Sequence, residues 1–201
     1  MISHNIDDIV SVNKLWGRIY PYLSLYIRDL YGKNEGSVLE YGIFSGGISI
    51  GLARLSKEYQ ISIGGLESEE LVEFTKQWIA GSCPSASIDI RGSLIDLKDS
   101  SFDLIVVRGF FFYLDNEEIL KDIFRILNPK GMAILGGGYG DRTPRELIAE
   151  IASESKILND RLGRKWFSKD ELTNILVRNN LINNSVLIDA GGLWIRISKG
   201  V

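Results

Sequence analysis

The residues from Glu40 to Glu67 are the ones whose types and spacing could do chemistry. Val38 and Leu39 form an apolar run that ends in Glu40, and Gly42, Gly46 and Gly47 follow. Glycines so placed let the chain turn tightly and bring backbone amides against a ligand. Glu67 lies 21 residues after Gly46 and closes the next apolar run, ISIGGLE. A carboxylate at the end of a second strand can accept both hydroxyls of a ribose diol through charge-assisted hydrogen bonds, and it repels a ribose phosphate. The pattern therefore points to a nucleotide-sized ligand held by backbone at one end and by a carboxylate at its sugar.

Elements must position these residues, and the hydrophobic periodicity supplies them. Segments 37–41, 61–66, 87–91 and 102–107 read as strands, and 46–57 and 68–80 as helices between them. Strands alternating with helices predict parallel pairing through helical crossovers. Ahead of them, apolar residues from Ile6 to Tyr26 recur near helical spacing, and Pro21 splits them into two helices. Residues 116–127 read as an amphipathic helix stopped by Asn128 and Pro129, and Met132 to Leu135 as a short buried strand. Thr143 and Pro144 read as N-cap and first position of a helix, and Ser168 with Glu171 as the capping box of another. The tail, SVLIDAGGLWIRIS, reads as two strands joined at Asp189 to Gly192, which places an antiparallel strand at one side of the sheet.

Composition bounds the rest. The chain of 201 residues is 45% hydrophobic and 24% charged, which fits one domain over residues 1–201 with a single sizeable core. No segment reaches the roughly 18 apolar residues of a membrane span, and the start, MISHNIDDIV, lacks a signal peptide's pattern, so a cytoplasmic protein without membrane contact is expected. A net charge of −3 and no basic run longer than two residues argue against nucleic acid as a partner. One cysteine, Cys83, and one histidine, His4, leave no soft-ligand metal site, and His4 is expected to be a solvent-exposed terminal residue.

Taken in order, these segments resemble the class I S-adenosylmethionine-dependent methyltransferases, in particular the methyltransferase type 11 branch, similar to small-molecule and quinone-biosynthesis methyltransferases. VLEYGIFSGGISIGLA is similar to that family's first motif, SSFDLIVVRGFFFYLD to its fourth strand, and ILKDIFRILNPKGMAILGG to the helix and fifth strand that follow. The resemblance implies a Rossmann-like α/β fold: a seven-stranded mixed sheet with helices on both faces and an antiparallel C-terminal hairpin strand. Residues 1–34 would be a helical lid, with Trp16, Tyr20 and Tyr22 over the cofactor. The cofactor implied is S-adenosylmethionine. Glu40, Gly42, Phe44 and Gly46 would shape the pocket for its methionine portion, Glu67 would hold its ribose, and Ser93 and Leu94 would meet its adenine. Phe44 stands at the family's middle glycine position and Ser93 where an acid is usual. These two departures keep open an alternative, a non-catalytic methyltransferase-like module that binds a partner protein or another ligand.

The acceptor implied is a small, partly apolar molecule. A sulfonium is already an activated leaving group, so alignment can suffice without a base; if one is needed, Tyr113, Tyr139 and Asp141 are the candidates. Tyr139, Asp141 and Arg142 lie in GGGYGDRTP, whose glycines expose backbone at a strand's carboxyl end. Alternate side chains among Phe110, Phe111, Phe112 and Tyr113 would line an apolar pocket and the others the core. Arg108 would bind a carboxylate of cofactor or substrate, or else pair with Asp103 or Asp115. A homodimer is one arrangement this reading allows. A nicotinamide enzyme is disfavoured because YGIFSGG lacks the Gly-x-Gly-x-x-Gly spacing.

Overall fold

The computed structural model describes residues 5–84, 88–114 and 116–200. Two helices, α1 (Ile6–Trp16) and α2 (Tyr20–Tyr31), lead into β1 (Gly36–Tyr41), α3 (Gly47–Leu55), β2 (Tyr59–Gly64), α4 (Glu69–Ser82), β3 (Ile88–Ile90) and β4 (Phe102–Arg108). Then come α5 (Glu118–Ile126), β5 (Leu127–Gly136), α6 (Arg145–Arg161), α7 (Lys169–Arg178), β6 (Ser185–Ile188) and β7 (Trp194–Ser198). The seven strands form one sheet in the order β3-β2-β1-β4-β5-β7-β6. Pairing is parallel from β3 through β5, and β7 runs antiparallel to both β5 and β6. The expected seven-stranded mixed sheet with its reversed hairpin strand is the one observed.

Strand alternation sorts the side chains into two cores. Val38, Leu104, Val106 and Ile134 face a cluster built with α1, α2, α3 and α6. Their neighbours Leu39, Ile105, Val107 and Ala133 face a second cluster built with α5 and α7. Strands covered on both faces must be apolar almost throughout, which is why they read as continuous runs. Pro21 falls in the first turn of α2, where a missing N–H leaves no bond unmade. The Ser168–Glu171 capping box forms as expected. Trp16 and Tyr20 are buried within the first core, so α1 and α2 belong to the wall of the domain rather than lying loosely on it.

Several boundaries differ from the sequence reading, and β2 ends at Gly64 rather than at residue 66, so Glu67 lies three residues beyond it. β5 begins at Leu127, five residues before Met132, because buried Leu127 pairs with Phe102 across the sheet. Thr143 does not cap α6: its hydroxyl donates to the Tyr139 carbonyl (2.6 Å), and Pro144 is the residue before the helix. Between β3 and β4 only one 3₁₀ turn, Leu94–Asp96, replaces a crossover helix. Among the described residues no helix is long and apolar enough to cross a membrane, and no group of three acidic, cysteine or histidine side chains is placed to hold a metal ion.

Candidate functional site

The strand order reverses at β1, whose neighbours are β2 and β4, and an open parallel sheet forms its ligand crevice outside the carboxyl ends at such a point. The Gly42–Gly46 loop leaves β1 there. Gly42 (φ 113°) and Gly46 (φ 122°) occupy backbone conformations that favour glycine. The Gly42 N–H donates to the Gly64 carbonyl at the end of β2 (2.9 Å), so the loop stays tied to the sheet.

Glu40 organises this loop from beneath. Its carboxylate is 1% exposed and accepts from the backbone N–H groups of Gly46 (2.9 Å), Ile48 (3.3 Å) and Ser49 (2.8 Å). These are orphan donors at the start of α3, and an acidic group there also complements the helix dipole. Burial pushes the Glu40 carboxyl up, and the hydrogen bonds from this turn oppose that rise. Glu40 therefore shapes the loop while its own oxygens are engaged with backbone.

Phe44, at the middle position of the loop, finds its room at Gly109. A Cβ on Gly109 would stand 2.7 Å from the Phe44 ring. The ring is 1% exposed, meets Phe112 edge-on at 5.4 Å, and lies under the Arg108 guanidinium at 4.7 Å. A benzyl group replaces a glycine in the loop, and a glycine after β4 receives it.

Glu67 is exposed three residues past β2 and just before Ser68, the N-cap of α4. Burial, and to a smaller extent the Glu67 charge, push the phenols of Tyr41 and Tyr113 up, so the carboxylate lies at the glycine loop's side of the crevice. The Ser93 side chain and the Leu94 N–H meet the Tyr41 hydroxyl there. Leu94 itself is turned into the second core, because an apolar side chain gains more among Ile105 and Ile123 than against solvent; it does not present a face to an adenine. The Ser45 hydroxyl, inside the loop, is buried without a hydrogen-bond partner. An exposed carboxylate, an orphaned hydroxyl and a left-handed glycine loop fit an aminoacyl nucleoside.

The base candidates separate. Tyr113 accepts the Ile43 N–H (2.8 Å) with its hydroxyl and covers Gly42; burial, the first cause of its raised pKa, disfavours the phenolate a base would need. Asp141 is exposed beside Tyr26, and Arg142 pairs with Asp29; neither lines the cavity next to the crevice. Tyr139 does line it, stacked on Trp16 at 4.7 Å. That cavity encloses about 350 Å³ at the end of β5, with Gly137 and Gly138 at its base and Phe111, Tyr139 and Trp166 among its walls. Of the four aromatic residues from Phe110, Phe110 and Phe111 are buried and Phe112 and Tyr113 are half-buried.

Arg108 is buried at 4% exposure at the end of β4. It lies over Trp16 (3.8 Å), Phe44 (4.7 Å) and Tyr20 (5.4 Å), and its Nη1 donates to the Tyr20 hydroxyl (2.8 Å), which donates onward to Asn13 (2.7 Å). Asp103 is not its partner: that carboxylate accepts from Ser37 and Asn128. The expected roles of His4 and Asp115 lie outside the described residues. Sequence reasoning missed Asn13, Ser155 and Arg164. Trp16 donates to Ser155 (2.9 Å), and Arg164 follows α6 to reach Gly137. The basic and aromatic cluster Arg164 to Phe167 was the available signal.

This geometry agrees with what the chain resembles. Residues 39–135 match the family model described as a methyltransferase domain. An uncharacterized methyltransferase of Schizosaccharomyces pombe is 27% identical over 57% of this chain and 44% of its own length. The ubiquinone/menaquinone biosynthesis C-methyltransferase UbiE of Geotalea daltonii is 28% identical over 50% of this chain and 45% of its own. A solved structure from Methanococcus maripaludis, assigned to the S-adenosyl-L-methionine-dependent methyltransferases, covers 100% of this chain and 98% of its own with a TM-score of 0.80 at 26% identity. Over these residues the chain is similar to the class I S-adenosylmethionine-dependent methyltransferases. The chain spans less than half the length of the two relatives matched by sequence. The cofactor of that family, S-adenosylmethionine, joins an amino acid to a nucleoside through a sulfonium.

Proposed function

We propose that the protein transfers a methyl group from S-adenosylmethionine to a small, partly apolar acceptor held in the cavity at the end of β5. One observation carries this reading: the glycine loop clamped by Glu40 and the aromatic cavity of about 350 Å³ open at the carboxyl ends of β1 and β5, on either side of β4. Gly42, Gly46 and the Ser45 hydroxyl would hold the amino-acid end of the cofactor, Glu67 its ribose hydroxyls, and Ser93 its adenine. When bound, the cofactor supplies an S–CH3 bond that breaks toward a neutral thioether as the acceptor's lone pair forms the new bond. The chain's own part is alignment and exclusion of water. Trp16 and Tyr139 stack as one wall of the cavity, and an aromatic wall orients a flat acceptor while keeping water from the transfer line. Tyr139 is then a positioning residue, and the acceptor's proton leaves to water.

Calorimetric titration with S-adenosylhomocysteine tests the reading. Micromolar binding is expected, weakened about 10- to 100-fold in Glu67→Ala with unchanged thermal stability, since a carboxylate–diol pair is worth roughly 1.5–3 kcal/mol. No binding to the unaltered protein would instead support a non-catalytic methyltransferase-like module.

A further inference from the structure

The inner end of the acceptor cavity holds two guanidinium groups. Arg164 lines the cavity, stacks on Trp166 at 4.2 Å, and lies 3.3 Å from where a Cβ on Gly137 would stand. Arg108 and Arg164 both line the narrow recess behind it, together with Trp16, Phe112 and Asn159. Among the described residues neither guanidinium is ion-paired. The carboxylates that act on them have other hydrogen-bond partners: Glu40 accepts from the start of α3, and Asp160 pairs with Lys156. Burial first, and then the charge of Arg108, hold Arg164 below the usual arginine range. A buried and a half-buried cation facing one recess repel each other, and an anion between them relieves that repulsion.

We propose that the methyl acceptor carries a carboxylate, bound by Arg164 with Arg108 behind it, while its apolar body lies between the stacked Trp16–Tyr139 wall and Phe167. The inference rests on the methyl-transfer reading for the word acceptor; the anion site itself rests on the two arginines. The recess encloses only about 10 Å³, room for one oxygen-sized group, which suits a carboxylate oxygen better than a phosphate. A guanidinium fork matches a carboxylate in a planar, two-bond arrangement, and the aromatic walls favour a flat acid. Arg108 already donates one bond to Tyr20 and is packed between rings, so it supplies fixed charge, whereas Arg164 is half-buried and can adjust to the ligand.

The test compares 2-naphthoate with 2-naphthamide, the same shape without the charge, by calorimetry on the full chain with S-adenosylhomocysteine present and absent. The acid is expected to bind about 10-fold more tightly than the amide, and Arg164→Gln is expected to bring the two within about twofold while leaving S-adenosylhomocysteine affinity unchanged. Arg164→Lys, which keeps the charge and loses the fork, is expected to fall between them. Circular dichroism confirms that the variants fold. Equal affinity for acid and amide, or no binding of the acid into the millimolar range, overturns the proposal. Loss of S-adenosylhomocysteine binding in Arg164→Gln also overturns it, because the arginine would then serve the cofactor's own carboxylate. If S-adenosylhomocysteine fails to bind the unaltered protein while the acid preference persists, the methyl-transfer reading fails and the anion site stands.

Discussion

Glu40 and Arg108 are buried charges on the same face of neighbouring strands, and the protein handles them in opposite ways. Glu40 meets backbone donors six to nine residues further along the chain, so the loop that it organises is local. Arg108 meets Tyr20, 88 residues away, and three aromatic rings from separate segments, and Arg164 arrives at the same recess from beyond α6. The first charge is satisfied within the protein and fixes the loop between β1 and α3. The second is cushioned by π faces and a single phenol, an arrangement that leaves positive potential available to a ligand. A satisfied charge builds structure, and an unsatisfied one is where a binding site can be made.

The largest effect is expected from Glu40→Ala. Three amides at the start of α3 lose their acceptor, and stability should fall by about 3 kcal/mol or more in denaturant titration. A drop below about 1 kcal/mol would show that solvent replaces the carboxylate, and the contrast with Arg108 would fail. Gly109→Ala comes next. Its methyl would press on the Phe44 ring at 2.7 Å with φ at 74°, and a loss of about 2 kcal/mol is expected. Phe44→Leu in the same chain should return part of that loss; no return would assign it to backbone strain alone. Tyr20→Phe removes the hydroxyl between Arg108 and Asn13 and should lower stability by about 1–2 kcal/mol.

The smallest effect separates the two sides of the molecule by pH. Burial first pushes the phenols of Tyr26 and Tyr31, both on α2, up to about 12 from the ordinary 10.0. The unfolded chain therefore loses these protons before the folded one. Their contribution is complete below about pH 10 and is lost as pH rises toward 12. Stability should decline over that window, and less steeply in Tyr26→Phe. Tyrosinate absorbance appearing at ordinary pH in the folded protein would contradict this.

How far the sequence could be read follows the same division. The glycine loop, the capping box at Ser168 and the hairpin at Asp189 to Gly192 are signals carried within a few residues, and each lies where the sequence reading put it, whereas β2 ends at Gly64 and leaves Glu67 three residues beyond the strand. Leu94 could not be placed that way: its position beside Ser93 says nothing of the core under β4 that takes its side chain. Asp141 shares a glycine-rich loop with Tyr139, yet the turn sends one beside Tyr26 and the other against Trp16. Phe44 looked like an intrusion until Gly109, 65 residues away, proved to be its complement.

By itself the sequence determined the order of strands and helices, the reversed hairpin strand and the glycine loop after β1, because periodicity, caps and turns act over neighbours in the chain. Only the tertiary structure decided that Trp16, Arg108 and Arg164 share one recess. Cavities are made by side chains that the fold brings together across the sheet, and no local rule of spacing encodes which ones will meet.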